Sequence, residues 1–260
     1  MSQQPEILDH LDFETYQQHA LPSSHYADSG YSSKNRYLLY WRHLRLVRSH
    51  NPTDVLEIGV GPGIVSASLR ATGEMVTTAD LNPALKPDVV SDIVGLERAL
   101  GGRRFDLVFC SRVLHHVDLA DLPINLAALA AVTNRVLILI VPQDVLALHL
   151  GVRVTGTDWS LKFVKLPRAA KRLVRFTNAR VSRERTPDIS GRWTLEYNIS
   201  EARFKELLSR DFTLVSCFPL AEDPAHVVFE LSPRRAEETR HPGQSLPDGC
   251  RQPVAVSENR

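Results

Sequence analysis

Three glycines recur at every second position directly after a short apolar run, and this stretch has residue types suited to ligand chemistry. Residues 55–58 predict a buried strand, and residues 64–69 continue at helical spacing. Glycine adopts positive φ and lets the backbone approach a ligand closely, while the following helix presents unpaired N–H groups. Gly59, Gly61 and Gly63 therefore predict a nucleotide-binding loop; the alternative is a turn that only closes the strand–helix unit.

The spacing of the glycines separates two kinds of nucleotide site. A dinucleotide loop has the pattern G-x-G-x-x-G, but its third glycine would fall on Ile64 or Ser66 here. The G-x-G-x-G pattern, preceded by Glu57, resembles motif I of the class I S-adenosylmethionine-dependent methyltransferases, of the methyltransferase type 11-like group. This resemblance implies S-adenosyl-L-methionine as the cofactor, bound by Glu57 and the three glycines.

Acidic residues follow the next two predicted strands. Asp80 ends the strand predicted over residues 75–79, with Leu81 beside it, and its two oxygens can accept hydrogen bonds from both hydroxyls of a ribose. Asp92 ends a strand predicted over residues 87–93. The family resemblance implies that Asp92 accepts from the adenine amine and that the backbone of Ile93 contacts the ring. Alternatively, Asp92 caps a helix over residues 93–100.

A fourth strand, predicted over residues 105–110, leads into Ser111 and then a Leu-His-His-Val sequence. This piece resembles the fourth motif of the same family, which implies that Ser111 lies at the cofactor and that the histidines face the acceptor. A neutral imidazole could remove a hydroxyl proton, so His116 and then His115 are the catalytic candidates. Either histidine could instead serve packing, and a carboxylate or free-amine acceptor would require no base.

The alternation of strands and helices predicts an α/β fold with a Rossmann-like, doubly wound, seven-stranded, mostly parallel sheet and helices on both faces. Ligands bind such sheets at the carboxyl ends of the strands, where the candidate residues fall. A helix over residues 34–50, a fifth strand over 135–141 and a helix over 200–210 belong to this pattern. Two closing strands, over 212–218 and 226–231, resemble the antiparallel pair of the family.

The chain divides into a methyltransferase domain over residues 34–232, an N-terminal arm or lid over 1–33 and a tail over 233–260 with the composition of a disordered segment. Residues 143–194 form an insertion after the fifth strand. Its part from Gly151 to Arg192 holds eleven Lys and Arg against three Asp and Glu, a net charge of +8. A helix is predicted from Pro167.

One face of the helix predicted from Pro167 carries four basic residues: Arg168, Lys171, Arg172 and Arg175. This face is either a solvated surface or a cap that attracts an anionic acceptor. A third alternative is peripheral contact of residues 161–176 with an anionic membrane.

Composition excludes several other classes. The net charge of +1 gives no overall attraction to nucleic acid, and Cys110-Ser111-Arg112-Val113 differs from the Asp/Asn-Pro-Pro-aromatic sequence of base-amine methyltransferases. Three widely spaced cysteines predict neither a metal site nor a disulfide framework. The longest apolar run, over residues 136–141, is too short to span a bilayer. A cytoplasmic protein is expected.

The sequence therefore predicts a methyltransferase that transfers a methyl group by in-line displacement to the oxygen or nitrogen of a small-molecule or lipid-linked acceptor, which the basic insertion suggests is anionic. Two alternatives stay open. One is a non-catalytic binding protein that keeps the methyltransferase fold and acts through its basic surface. The other is a methyltransferase of RNA or another anionic polymer; nucleic acid is not favoured.

Overall fold

A computed structural model describes Tyr26, Tyr31 and residues 33–144, 147–154, 157–165 and 192–234, with the backbone alone for 147–165. The helices are α1 (Lys34–Arg48), α2 (Ile64–Ala71), α3 (Leu96–Ala99), α4 (Leu122–Val132) and α5 (Glu201–Asp211). The strands of the main sheet are β1 (Asp54–Ile58), β2 (Met75–Asp80), β3 (Val89–Val90), β4 (Phe105–Ser111), β5 (Thr133–Pro142), β8 (Phe212–Pro219) and β9 (His226–Pro233). A separate antiparallel pair consists of β6 (Ala147–Val154) and β7 (Thr157–Lys165).

The main sheet has seven strands in the order β3-β2-β1-β4-β5-β9-β8. The first five run parallel, whereas β9 is antiparallel to both β5 and β8. This arrangement confirms the predicted fold class, including the antiparallel pair that closes the sheet. The carboxyl ends of β1, β2 and β4 consequently lie side by side, and they bring together loops that are distant in sequence.

Two apolar clusters cover the two faces of the sheet. One joins Leu126 of α4 and Phe204 of α5 to Phe229, and the other joins Leu39 of α1 to Val228. Neighbouring residues of β9 enter opposite clusters because side chains alternate across a strand. Residues 136–141 are all buried, as expected for a central strand that has helices on both faces. The helices thereby hold the strand ends in fixed positions.

The third strand and the helix after it are shorter than the sequence predicted. The Asp88 carboxylate accepts hydrogen bonds from the backbone N–H and the hydroxyl of Thr78, at 2.7 and 2.9 Å, so a side chain replaces strand pairing there. Asp92 accepts from the backbone N–H of Gly95 at 2.7 Å and holds a turn, so α3 begins only at Leu96. Side-chain hydrogen bonds to the backbone thus compete with both elements.

The beginning of the basic insertion forms the β6–β7 hairpin, which the sequence analysis did not predict. The helix predicted from Pro167 lies outside the described residues, as do most of the N-terminal arm and nearly all of the tail. Among the described helices, none is both long and apolar enough to cross a bilayer.

Candidate functional site

The glycine loop joins β1 to α2 and has the geometry that its sequence predicted. Gly59, Gly61 and Gly63 adopt φ values of +80°, +52° and +71°. The N–H of Gly59 donates to the carbonyl of Ala79 at 2.9 Å, which ties the loop to β2. Gly63 directly precedes α2 and has no side chain to cover its first turn. The loop therefore presents bare backbone at the carboxyl edge of the sheet.

The loop after β4 packs directly on Gly59. Arg112 adopts a left-handed backbone with φ +58°, which is uncommon for a residue other than glycine and is often found at functional sites. The Val113 side chain follows, and a Cβ at Gly59 would lie only 2.1 Å from its Cγ2 atom. Glycine is therefore required at position 59 for steric as well as conformational reasons.

Asp80 connects the loop to the end of β2. Its two carboxylate oxygens accept from the N–H groups of Val60 and Asn82, each at 2.8 Å. Burial raises the pKa of Asp80, while hydrogen bonds from the backbone, including Gly61 and Leu81, act in the opposite direction. The carboxylate thus stands at the end of β2 and against the glycine loop, which is the position from which an acid could accept from the two hydroxyls of a ribose.

A tyrosine that the sequence analysis did not single out covers this loop. The Cε1 atom of Tyr26 lies 3.9 Å from where a Cβ at Gly61 would stand. Burial, followed by the negative charge of Asp80, raises the pKa of Tyr26 to about 12. Its ring packs edge-on against Tyr31, with 5.0 Å between the centroids, and Arg36 of α1 lies over the Tyr31 ring. The phenol therefore remains protonated beside the acid.

Glu57 lies beneath the loop and is almost completely buried. Burial raises its pKa to about 7, although hydrogen bonding with Ser66 of α2 acts in the opposite direction. Its Oε2 atom has no hydrogen-bond partner within the described part of the chain. The structure places Glu57 between β1 and α2, where it can support the loop from below.

The remaining predicted cofactor residues lie around the same edge of the sheet. Asp92 holds the turn before α3 but does not cap that helix, whose N-cap position is Gly95; Ile93 is buried next to Asp92. Leu81 is half-buried beside Asp80. Ser111 ends β4, and its hydroxyl lies 3.5 Å from Nε2 of His43, a buried residue of α1.

The two histidines proposed as catalytic differ in environment. His115 is buried, and burial and then the neighbouring His116 and His226 lower its pKa to about 2. The His116 ring is half-buried and lies 4.0 Å from the His115 ring, centroid to centroid. An imidazole of such low basicity is a poor proton acceptor, so of the two predicted bases His115 is the weaker candidate.

Two of the last residues of the insertion, Arg192 and Trp193, hold the loop that contains His115 and His116. The N–H of Arg192 donates to the carbonyl of His115 at 2.8 Å, and its guanidinium pairs with Asp118. Trp193 is fully buried and donates from its indole N–H to the carbonyl of Val117 at 3.0 Å. The insertion is therefore anchored at its end to the loop that contains the two histidines.

Three further residues near this edge of the sheet were not predicted from the sequence: His43, Asp223 and His226. His43 packs on Phe109, with 5.1 Å between the ring centroids; its spacing from Leu39 and Val47 on α1 could have placed it on the buried face. No local signal marks His226 and Asp223, since they reach the edge only through the pairing of β9 with β5.

Comparison with known proteins places the chain in a class. The N-methyltransferase NodS from Bradyrhizobium japonicum WM9, solved with S-adenosyl-L-homocysteine, has a TM-score of 0.51 and 13% identity, covering 85% of this chain and 97% of that one. The magnesium protoporphyrin IX methyltransferase ChlM from Synechocystis PCC 6803 has a TM-score of 0.51 and 14% identity, covering 77% and 84%. At these identities the likeness establishes the fold, which is that of the class I methyltransferases.

The family follows from the sequence itself. The family model Methyltransf_23, a methyltransferase domain, matches residues 31–182, which is more than half of the chain. The protein therefore belongs to this family of methyltransferase domains, and the resemblance read from the glycine loop is confirmed.

A search among curated proteins found no match. A third similar structure is the 1,6-didemethyltoxoflavin-N1-methyltransferase from Burkholderia thailandensis, with a TM-score of 0.50, 16% identity and coverage of 88% and 94%.

Proposed function

We propose that the protein is an S-adenosylmethionine-dependent methyltransferase that methylates an oxygen or nitrogen atom of a small-molecule acceptor. The observation that carries the proposal is the junction of the glycine loop with Asp80. Three glycines with positive φ leave the backbone bare, and the Asp80 carboxylate lies directly against them at the end of β2. A turn that served only to connect β1 with α2 would need neither feature.

The residues at this edge fit the cofactor. Asp80 would accept from the ribose hydroxyls, the loop over Gly59, Gly61 and Gly63 would approach the rest of the molecule, and Tyr26 would cover it. Asp92 and Ile93 stand one loop farther along, on the side proposed for adenine. When bound, the cofactor supplies a methyl group on a sulfonium, which is already activated for displacement. The protein's task is therefore to align the acceptor and to exclude water.

The acceptor would approach over the ends of β4 and β5, where Ser111 lies beside His43 of α1 and leads into the loop of His115 and His116. The similar structures with a TM-score of at least 0.50 include enzymes whose names specify a porphyrin or a toxoflavin precursor, which are small molecules. This supports a small acceptor for the present chain. An anionic or lipid-linked acceptor, attracted by the basic insertion, remains part of the proposal.

The proposal is tested by cofactor binding in a matched pair of variants. Asp80→Ala removes the ribose partner and should lower S-adenosylhomocysteine affinity about tenfold or more in calorimetry, since each hydrogen bond to a charged group contributes about 1.5–3 kcal/mol. The control is Asp88→Ala. Asp88 is likewise a carboxylate that accepts from a backbone N–H, but its partner is Thr78 on β2 and not the glycine loop. This variant should bind S-adenosylhomocysteine as wild type does. Equal affinities in all three proteins would contradict the cofactor assignment.

Catalysis is then tested separately with radiolabelled S-adenosylmethionine and a panel of phenols, amines and carboxylic acids. Transfer of label to any of them, lost in Asp80→Ala at limiting cofactor, supports an enzyme. Cofactor binding without transfer to any acceptor in the panel or in cell extract would instead support the non-catalytic binding protein.

A further inference from the structure

A histidine and an aspartate form a pair on the turn between β8 and β9. The N–H of His226 donates to the carbonyl of Asp223 at 3.0 Å, which closes the turn. Nδ1 of the His226 ring lies 2.8 Å from Oδ2 of Asp223, close but not aligned as an ideal hydrogen bond. Gln143, at the end of β5, holds the turn by donating to the carbonyls of Pro224 and Ala225, each at 2.7 Å.

The pair stands at the carboxyl edge of the sheet, on the acceptor side. His226 is paired in register with Pro142, the last residue of β5. Val228, two positions further along β9, packs in the cluster that contains Leu39 and Phe109, so alternation places His226 on that same face, below α1. Ser111 and His43 also meet there. His226 therefore faces the space in which an acceptor would lie beside β4.

The other buried histidines at this edge are poorly suited to take a proton. Burial, followed by the positive charges of His226 and Arg36, lowers the pKa of His43 to about 3, and the pKa of His115 is lowered to about 2. Neither has a carboxylate at ion-pair distance among the described residues. His50 does pair with Glu230, at 3.1 Å, but it lies at the opposite edge, where its carbonyl accepts from Arg135 at the start of β5.

We propose that His226, and not His116 of the loop after β4, is the general base of the methyl-transfer reaction, because a carboxylate lies at its Nδ1, and that Asp223 positions it. This inference rests on the proposed function. A carboxylate at Nδ1 favours the tautomer with its proton there, so Nε2 carries the lone pair. As the acceptor oxygen or nitrogen bonds to the methyl carbon, the carbon–sulfur bond breaks and its electron pair stays on sulfur. The acceptor's proton passes to Nε2 of His226, and Asp223 stabilises the resulting imidazolium before water removes the proton.

Charged and titratable groups from three elements face this pair. Asp223 belongs to its own turn, Arg36 and His43 come from α1, and His115 comes from the loop after β4. The low pKa values of His43 and His115 keep both of them neutral near pH 7. Burial raises the pKa of Asp223, but the contact with His226 and the other charges outweigh burial, and the net direction is downward. Asp223 is therefore a carboxylate at neutral pH.

The experiment compares His226→Gln and Asp223→Asn with the matched control His50→Gln. Single-turnover methyl transfer is measured with phenol, which must lose a proton, and with 4-nitrophenol at about pH 8.5, where it is largely ionised. We expect His226→Gln to slow transfer to phenol about 100-fold or more and Asp223→Asn about tenfold, with little effect on transfer to 4-nitrophenolate. His50→Gln should behave as wild type with both acceptors. Added imidazole should partly restore His226→Gln.

A second measurement needs no acceptor. The pKa of Asp223, followed by carboxyl carbon NMR, should rise in His226→Gln and stay unchanged in His50→Gln. Equal losses with phenol and 4-nitrophenolate, or wild-type rates in His226→Gln, would overturn the assignment, as would an unchanged Asp223 titration. Failure of the proposed function is distinct, because it would appear in wild type as an absence of S-adenosylhomocysteine binding or of methyl transfer to any acceptor.

Discussion

Glu57→Gln tests the physical consequence of burying an acid beside the glycine loop. The folded pKa of Glu57 is raised from 4.5 to about 7, chiefly by burial. Well below about pH 4.5, Glu57 is protonated in both the folded and the unfolded state, so its ionisation does not affect the free energy of unfolding. As pH rises toward 7, the unfolded chain releases the proton while the folded chain keeps it, so stability falls. Above the folded pKa the loss is complete and corresponds to about 3 kcal/mol.

Glutamine has nearly the same shape and cannot ionise, so the variant should lack this pH dependence. We expect the free energy of unfolding of Glu57→Gln, relative to wild type, to increase by about 3 kcal/mol between about pH 4.5 and 8. The measurement is urea unfolding followed by circular dichroism at several pH values, with the exposed Glu97→Gln as the control. A difference that stays constant with pH, or grows as pH falls, would refute the reasoning.

The same variant separates two roles for Glu57. If Glu57 binds the cofactor directly, as the family resemblance implies, glutamine should weaken S-adenosylhomocysteine binding by about 1.5–3 kcal/mol. If it supports the loop from below, with its carboxyl directed to Ser66, binding should be nearly unchanged. Calorimetry at about pH 8 distinguishes the two outcomes.

Two further substitutions probe the loop. Gly59→Ala combines a positive φ with a Cβ 2.1 Å from Val113 and should lower the free energy of unfolding by about 2–5 kcal/mol. The control Gly101→Ala has φ +61° but no atom within 4 Å of the new Cβ, and should lower it by about 1–2 kcal/mol. Equal losses in the two variants would contradict the contact with Val113. Tyr26→Ala should weaken S-adenosylhomocysteine binding about three- to tenfold in calorimetry, because the ring covers Gly61. The control Tyr37→Ala removes an exposed ring and should leave binding unchanged. Unchanged binding in Tyr26→Ala would argue against a covering role.

The cofactor half of the site could be predicted because its determinants are consecutive in sequence. The glycine spacing and the acid after β2 are local signals, and the structure places Gly59 and Asp80 in contact through Val60, as a strand–loop–helix–strand unit requires. The fold class followed from the same alternation of elements and is confirmed. The roles of these residues toward the cofactor stay predictions.

The differences between the predicted and the observed elements have local physical causes. Strand β3 and helix α3 were predicted too long because apolar patterning takes no account of Asp88 and Asp92, whose carboxylates bind backbone N–H groups. The β6–β7 hairpin was missed although residues 148–154 alternate between apolar and other residues, a strand signal that the analysis of charge overlooked. Charge describes a surface but does not determine secondary structure.

The histidines around the proposed acceptor site could be predicted only in part, because they come from pieces that are far apart in the chain. His43 comes from α1, His115 from the loop after β4, and His226 from the start of β9, and only the strand order brings them to one edge. In the proposed function, backbone that requires particular residue types would hold the cofactor, whereas side chains on separate elements would meet the acceptor. The proposal therefore predicts that acceptor specificity depends on α1, the insertion and the β8–β9 turn rather than on the glycine loop.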